Sequence, residues 1–184
     1  MPFKFENLAI PEIILITPKF FPDDRGAFGE TYKRSEFAGH GIQENFVQDN
    51  QSVSEKGVLR GLHYQKNPKA QGKLIRCFLG KILDIAVDIR RGSPSFGKWV
   101  GLILDGESAK MLYVPPGFAH GFLALTKSMV LYKTTAEYAP DCERGIIWND
   151  PAIAVDWHIK NPTLAAKDML HPLLKDSDNN FDFK

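Results

Sequence analysis

The clearest indication of fold class is the stretch Ile82-Leu83-Asp84-Ile85-Ala86-Val87-Asp88-Ile89. Every second residue, starting from Leu83, is a large aliphatic side chain, and both aspartates occupy the alternate positions. A repeat of two residues is typical of a β-strand with one uniformly apolar face. The stretch is therefore predicted to be a strand that covers a hydrophobic core.

Short β-rich runs of this kind fill most of the chain. They span residues 13–16, 46–48, 58–65, 73–79, 82–89, 99–104, 112–114, 121–125 and 130–138. Turn signals rich in Pro, Gly and Asp separate them at residues 22–26, 66–69, 91–94 and 115–117. This spacing predicts an all-β sandwich or jelly roll. Helical signal is confined to residues 35–38 and 163–170, and the lack of repeats and long linkers predicts one domain over residues 1–184.

Composition excludes several classes of protein. The chain has 184 residues, of which 43% are hydrophobic, enough for a core without disulfides or a structural metal. A formal net charge of +1 gives no sign of a nucleic-acid or membrane-surface binder. Cys77 and Cys142 are too few for a disulfide framework, and Cys77 lies in an apolar run, as a buried thiol would. Without a signal peptide or a bilayer-spanning run, the expected compartment is the cytoplasm.

Missing motifs narrow the chemistry further. There is no glycine-rich dinucleotide fingerprint and no P-loop, which disfavours an oxidoreductive route with bound NAD. His63 and His120 have no second histidine two or four residues away, as metal-binding jelly rolls usually do. A mononuclear metal site needs three or more protein ligands. We therefore expect neither a metal nor another cofactor.

His63 is the strongest candidate for chemistry among the five histidines. It lies in an otherwise apolar run and near the basic residues Arg60 and Lys73, so a titratable ring there needs partners. However, Arg60 and His63 are an odd number of residues apart, and a regular strand would send them to opposite faces. Gly61 between them could form a β-bulge that re-aims one side chain; otherwise Arg60 serves another purpose.

Aromatic and basic residues allow two interpretations each. If the run at 130–138 is one strand, Tyr132 and Tyr138 lie on the same face of it. Their rings then either pack in the hydrophobic core or line a pocket with their hydroxyls pointing into it. Four basic residues suit the oxygens of a diphosphate, or are solvated surface charges; these are Arg25, Arg60, Lys73 and Arg76.

Taken in order, several motifs resemble dTDP-4-dehydrorhamnose 3,5-epimerases over nearly the whole chain. The matching stretches are Asp24-Arg25-Gly26 with Glu30, Phe46-Val47-Gln48-Asp49-Asn50, Val58-Leu59-Arg60-Gly61-Leu62-His63-Tyr64-Gln65, Gln71-Gly72-Lys73-Leu74-Ile75-Arg76, Asp84-Ile85-Ala86-Val87-Asp88-Ile89-Arg90, Ser93-Pro94-Ser95-Phe96-Gly97-Lys98-Trp99, Pro115-Pro116-Gly117-Phe118-Ala119-His120-Gly121-Phe122, Leu131-Tyr132-Lys133 and Ala166-Lys167-Asp168.

The resemblance implies a cupin-type jelly roll, a homodimer, a dTDP-linked 4-keto-6-deoxy sugar as substrate and no cofactor. It implies His63 as the base, Asp168 as its carboxylate partner, Lys73 as the group facing the enolate and Tyr132 as the acid on the opposite face. It also implies substrate contacts from Arg25, Glu30, Gln48, Asp49, Asn50, Arg60, Lys73, His120, Tyr138, Glu143 and Lys167, with Arg25 and Glu30 reaching the partner subunit's site.

Three rival functions stay open at this point. One is an epimerase of the same fold that acts at only C3 or only C5. Another is a metal-dependent cupin oxygenase or isomerase. The third is a sugar-nucleotide binding module without activity, against which the presence of all four chemical residues argues.

Overall fold

A computed structural model describes residues 2–183, which form two packed antiparallel sheets and a separate hairpin. The strands are β1 (Phe3–Asn7), β2 (Ile14–Pro18), β3 (Phe20–Asp23), β4 (Gly26–Gly29), β5 (Gln48–Ser54), β6 (Leu59–Gln65), β7 (Lys73–Leu79), β8 (Lys81–Asp88), β9 (Trp99–Asp105), β10 (Met111–Val114), β11 (Phe118–Ala124), β12 (Ser128–Thr134) and β13 (Glu143–Gly145). Helix α1 covers Arg34–Gly39, and 3₁₀ turns cover Pro140–Cys142, Ala166–Met169 and Leu174–Asp176.

In both main sheets the order of the strands differs from their order along the chain. One contains six strands in the order β1-β2-β10-β7-β12-β5, and the other contains five in the order β13-β6-β11-β8-β9. Strands β3 and β4 pair with each other as a two-stranded sheet. Since neighbours in the sheets are mostly far apart in sequence, the arrangement is that of a jelly roll, as predicted.

The alternating stretch at residues 82–89 lies in the middle of the five-stranded sheet. Strand β8 lies between β11 and β9, and both of its faces are buried. Its inner face, with Ile82 and Ala86, packs in the core between the sheets. Its uniformly apolar face, with Ile85 and Val87, instead packs under the C-terminal segment. The repeat of two residues therefore predicted the strand correctly. Its uniformly apolar face, however, covers a second core between the five-stranded sheet and the C-terminal segment, outside the space between the two sheets.

Three hydrophobic clusters hold these layers together. The first lies between the sheets and includes Ile75, Leu112 and Phe118. The second joins the five-stranded sheet to the segment that carries Trp157 and Phe181. A third cluster joins α1 and the first strands to the outer face of the six-stranded sheet. The cavity described below occupies the part of the sandwich interior that the first cluster leaves open.

Some predicted elements are wrong in extent. The run at 130–138 stops being a strand at Thr134, whose hydroxyl donates to the carbonyl of Ala136 and turns the chain. The helix expected at 163–170 is one 3₁₀ turn, because Thr163 exchanges backbone hydrogen bonds with Gly57 and Leu59 instead. The run at 46–48 leads into a longer strand, β5, and no pattern in the sequence predicted β1, β3, β4 and β13.

Other expectations are confirmed. Helix α1 contains the predicted residues 35–38, and the turn signal at residues 22–26 falls at the tip of the β3–β4 hairpin. Cys77 is fully buried, and both cysteines are free thiols. Within residues 2–183, no helix has the length and apolar character needed to cross a membrane.

Candidate active site

A cavity of about 460 Å³ opens between the two sheets. The six-stranded sheet contributes side chains from β5, β7 and β12, and the five-stranded sheet contributes side chains from β6 and β11. Residues 163–168 close one side. Eleven of the side chains named from the sequence line it: Gln48, Asn50, Arg60, His63, Lys73, His120, Tyr132, Tyr138, Glu143, Lys167 and Asp168.

A β-bulge in β6 brings Arg60 and His63 to the same side of the sheet. His63 is opposite His120 and Arg60 is opposite Phe122, so three steps along β6 match two steps along β11. The extra residue falls next to Gly61, which has a φ of +136° that side chains rarely allow. A Cβ at Gly61 would lie 2.5 Å from the Cα of Gly121, so the two strands approach closely because both residues are glycines.

His63 and Asp168 form a hydrogen-bonded pair at the wall of the cavity. The Nε2 of His63 lies 2.8 Å from Oδ1 of Asp168, although the two residues are 105 positions apart. The second carboxylate oxygen accepts from the backbone N–H of Gly61 at 3.5 Å. Burial by itself would raise the pKa of Asp168, but the hydrogen bond and charge of His63 hold it below its ordinary value. Asp168 is therefore an ionised acceptor that fixes the His63 ring.

Lys73 reaches from the six-stranded sheet to the same place. Its Nζ donates to the carbonyl oxygen of His63 at 3.2 Å, and only 8% of the residue is exposed. Burial lowers the pKa of Lys73 to about 8, against the opposing charges of Asp84 and Glu143. An ammonium group this poorly solvated interacts strongly with any negative charge that develops beside it.

His120 lies next to His63 across β6 and β11 and has its own carboxylate partner. Its Nε2 is hydrogen-bonded to Oδ1 of Asp84, which is fully buried in β8. Asp84 thus supports His120 directly and Lys73 through its charge. The alternation in residues 82–89 identified Asp84 as a charged residue within an apolar strand. That pattern did not predict its contact with His120.

Tyr132 faces this group from the opposite sheet. It is on β12, whose neighbours are β7 and β5, whereas His63 is on β6 of the five-stranded sheet. Burial raises the pKa of Tyr132, while the charge of Arg60 opposes the rise, so the hydroxyl is neutral at pH 7. A molecule held in the cavity would have His63 on one side and Tyr132 on the other.

The rim of the cavity is a network of polar side chains. Glu143 accepts from Tyr138 at 3.0 Å and from Lys167 at 2.8 Å. Gln48 accepts from the backbone N–H of Tyr138 at 2.8 Å and donates to Asn50 at 2.8 Å. Tyr138 lies beyond the end of β12, so it joins the cavity through these hydrogen bonds and not through the strand parity that suggested it.

Four residues named from the sequence lie outside the cavity lining formed by residues 2–183 of this chain, and one of them, Arg76 on β7, lies over the ring of Phe78 instead. Asp49 projects from the other face of β5, because it alternates with Gln48 and Asn50, and it pairs with Lys133 at 2.8 Å. Asp49 therefore does not line this cavity, and its predicted contact with the substrate stays a prediction. Arg25 lies at the tip of the hairpin, 89% exposed and paired with Asp23, and Glu30 directly follows the hairpin.

His171 is a neighbour of the site that the sequence did not single out. Its Nε2 lies 3.5 Å from Oδ1 of Asp168, and its ring meets that of His63 edge-on with centroids 5.6 Å apart. Burial, followed by the charge of His63, lowers the pKa of His171, so its imidazole is neutral at pH 7. The spacing of three residues from Asp168 was the only available signal.

Comparisons with known proteins agree on one family. A family model described as dTDP-4-dehydrorhamnose 3,5-epimerase matches residues 7–176. The chain is 49% identical over 180 residues to the dTDP-4-dehydrorhamnose 3,5-epimerase of Pseudomonas aeruginosa, a match that covers 95% of this chain and 98% of that protein.

Solved structures extend the agreement to the fold. The dTDP-4-dehydrorhamnose 3,5-epimerase of Sulfolobus tokodaii is 50% identical with a TM-score of 0.92, covering 99% of this chain and all of the other. The dTDP-6-deoxy-D-glucose-3,5-epimerase of Legionella pneumophila, solved with dTDP-4-keto-L-rhamnose, is 44% identical with a TM-score of 0.91, covering 95% and 94%. The predicted cupin-type jelly roll is confirmed, and the chain belongs to the dTDP-4-dehydrorhamnose 3,5-epimerase family.

Proposed function

We propose that the protein is an isomerase that epimerises C3 and C5 of dTDP-4-dehydro-6-deoxy-D-glucose, giving dTDP-4-dehydro-L-rhamnose for dTDP-L-rhamnose biosynthesis. The observation that carries this function is the His63–Asp168 pair facing Tyr132 across the cavity, in a member of this family. The L. pneumophila relative binds the corresponding dTDP-4-keto sugar, which supports the substrate.

The chemistry starts from the ketone at C4. It makes the hydrogens on C3 and C5 acidic, because the electron pair left by a departing proton spreads onto the C4 oxygen. The acidity is still far below that of an imidazolium, and each unit of pKa mismatch costs about 1.4 kcal/mol. A base that acts on such a carbon therefore needs its own cation and the new oxyanion to be stabilised together.

In our proposal, His63 takes the proton and Asp168 stabilises the resulting imidazolium. The hydrogen bond between Nε2 and Asp168 leaves Nδ1 as the ring nitrogen with a lone pair for the substrate. An ionised, buried carboxylate both orients such a ring and stabilises its charged form. Lys73 stabilises the enolate oxygen, because its ammonium is already held in place and largely removed from water.

Inversion also needs a proton from the other face of the sugar. We assign this step to Tyr132, whose neutral hydroxyl donates to the carbon of the enolate and leaves a tyrosinate. Solvent then returns a proton to Tyr132 and removes one from His63, so the enzyme is restored without net change. Two such cycles, at C3 and at C5, produce the L-sugar.

The remaining lining residues are proposed to hold the nucleotide and the sugar hydroxyls. Arg60 presents a guanidinium that already donates to Ser54 and Val53, and its position beside His63 suits a contact with the diphosphate or sugar. Gln48, Asn50, His120, Tyr138, Glu143 and Lys167 provide the other polar contacts.

A homodimer is the assembly that we propose. The β3–β4 hairpin exposes Phe20, Phe21 and Phe28, the last to 71%, and Val53 and Phe78 are about half exposed on the six-stranded sheet. Apolar surface of this kind is typical of an interface. If the hairpin packs against the partner subunit, Arg25 and Glu30 would lie at the partner's cavity. Their position outside the cavity of their own chain is consistent with this arrangement. One domain over residues 1–184 and a cytoplasmic location complete the proposal.

The proposed reaction can be tested by proton NMR in deuterated water with dTDP-4-dehydro-6-deoxy-D-glucose. We expect deuterium at both C3 and C5 and the appearance of the L-rhamno product. Incorporation at only one carbon would make the protein a mono-epimerase, and no incorporation would contradict the function.

A further inference from the structure

Three metal-binding donor atoms converge beside the cavity. The Nε2 atoms of His63 and His171 lie 2.8 Å and 3.5 Å from the same oxygen, Oδ1 of Asp168, and all three atoms are within 4.8 Å of one another. The expectation that His63 lacks two further ligands rested on the spacing of histidines along the chain. His171 supplies the missing ligand through the fold.

The nitrogen of His171 is not used by other contacts. It is a buried atom without a hydrogen-bond partner among residues 2–183, and 17% of the side chain is exposed. The ring packs directly against Gly145, since a Cβ at that position would overlap the imidazole. A ring whose buried nitrogen faces a carboxylate is suited to bind a further group between them.

The spacing fits a tetrahedral ion of the zinc class. Zinc binds imidazole nitrogen and carboxylate oxygen at about 2.0–2.1 Å, which places neighbouring ligand atoms roughly 3.3 Å apart. Two of the three separations, 2.8 Å and 3.5 Å, bracket this value, and the third, between the two imidazole nitrogens, is no more than 4.8 Å. Two imidazoles and one carboxylate are a donor set that zinc and cobalt accept, and the cavity leaves the fourth position open to water.

We propose that His63, Asp168 and His171 form a binding site for a divalent transition-metal ion, and that occupancy of this site inhibits the enzyme. An imidazole bound to a metal through Nε2 carries its single proton on Nδ1. His63 in that state has no lone pair for the substrate, and Asp168 is no longer free to stabilise an imidazolium. The inhibition, though not the binding, rests on the proposed function.

Nearby charges set the strength of binding. Lys73, which donates to the backbone carbonyl of His63, and Lys167 oppose a cation, whereas Glu143 favours it. The ion is thus held by three ligands in a mixed field, so chelators should remove it and the effect on activity should be reversible.

Binding is measured first without substrate, on the full chain freed of metal with EDTA. Co²⁺ is titrated while its visible absorption is recorded, and Zn²⁺ is titrated by calorimetry. One ion per chain and the intense absorption of four-coordinate Co²⁺ are expected. His171→Phe, which keeps a ring beside Gly145, should weaken binding by roughly tenfold or more. His171→Leu serves as the second variant if the first fails to fold.

The control variant is His158→Asn. His158 lies 2.9 Å from Asp156 in an exposed pair that no third ligand joins within residues 2–183, so its loss should leave Co²⁺ binding unchanged. Equal binding by the wild type and both His171 variants, or a loss of binding in His158→Asn alone, would overturn the proposal.

Inhibition is measured as the ratio of rates with and without Zn²⁺ for each variant, so a change in basal rate cancels. The wild type and His158→Asn should be inhibited and then restored by EDTA, while His171→Phe should resist at the same Zn²⁺ concentration. Site binding without inhibition would refute the inhibitory role. An enzyme that binds Co²⁺ through His171 but has no epimerase activity would refute the proposed function and leave the metal site standing.

Discussion

At the scale of single residues, the His63–Asp168 pair gives the first prediction. His63→Ala should lower kcat/KM on the order of 10³-fold, because the variant has no group that can take the proton. Binding of dTDP, measured by calorimetry, should change little, since other lining residues, Arg60 among them, are the ones proposed to hold the nucleotide. Epimerisation at the wild-type rate in this variant would exclude His63 as the base.

Tyr132 allows proton abstraction and inversion to be separated. In Tyr132→Phe, His63 can still remove and return a proton on its own face, so deuterium exchange from solvent should continue while the L-product is lost. Both rates are obtained from one NMR time course. If exchange and inversion fell by the same factor, Tyr132 would not be the donor.

Lys73 sets a limit on the pH range of activity. Burial lowers its pKa to about 8, and only the protonated form can stabilise an enolate. Activity that depends on Lys73 is therefore present below pH 8 and lost above it, with kcat/KM falling about tenfold per pH unit. Lys73→Arg keeps the charge at high pH, so whatever activity remains should lose this basic limb. A limb that stays near pH 8 in Lys73→Arg would assign it to another group.

At the scale of elements, the bulge in β6 decides whether the site can form. Gly61→Ala would force a side chain into a φ of +136° and against Gly121, so we expect a loss of roughly 3 kcal/mol or more in the free energy of unfolding. Gly41→Ala is the matched control. Its φ is +90° but nothing lies within 4 Å of a Cβ there, so it should cost about 1 kcal/mol. Urea unfolding measures both, and equal costs would show that the close approach to Gly121 is unimportant.

At the scale of the whole molecule, the proposed dimer can be tested by complementation. Arg25→Ala and His63→Ala are co-expressed with different affinity tags, and the mixed dimer is isolated. If Arg25 serves the partner's site, one site of the mixed dimer has both residues intact and activity returns, although each homodimer is impaired. If Arg25 acted within its own chain, both sites would be damaged and the mixed dimer would stay inactive.

The jelly-roll fold class and most members of the site could be predicted from the sequence alone. Alternation in residues 82–89 predicted β8, and the eight other predicted strands were located as β-rich runs bounded by turn signals. The order of the motifs identified the family, and with it eleven of the residues that line the cavity. Strands β3 and β4 escaped prediction because their residues are largely exposed and follow no burial pattern.

Which side chains meet could be read only from the folded chain. The pairing of His63 with Asp168, the support of His120 by Asp84 and the approach of His171 join positions from distant strands and turns, and no local pattern encodes such distances. The bulge at Gly61 is a property of two paired strands, since it depends on Gly121 as much as on Gly61. Local preferences act over a few residues, whereas the geometry of the site is set by how whole sheets pack and pair.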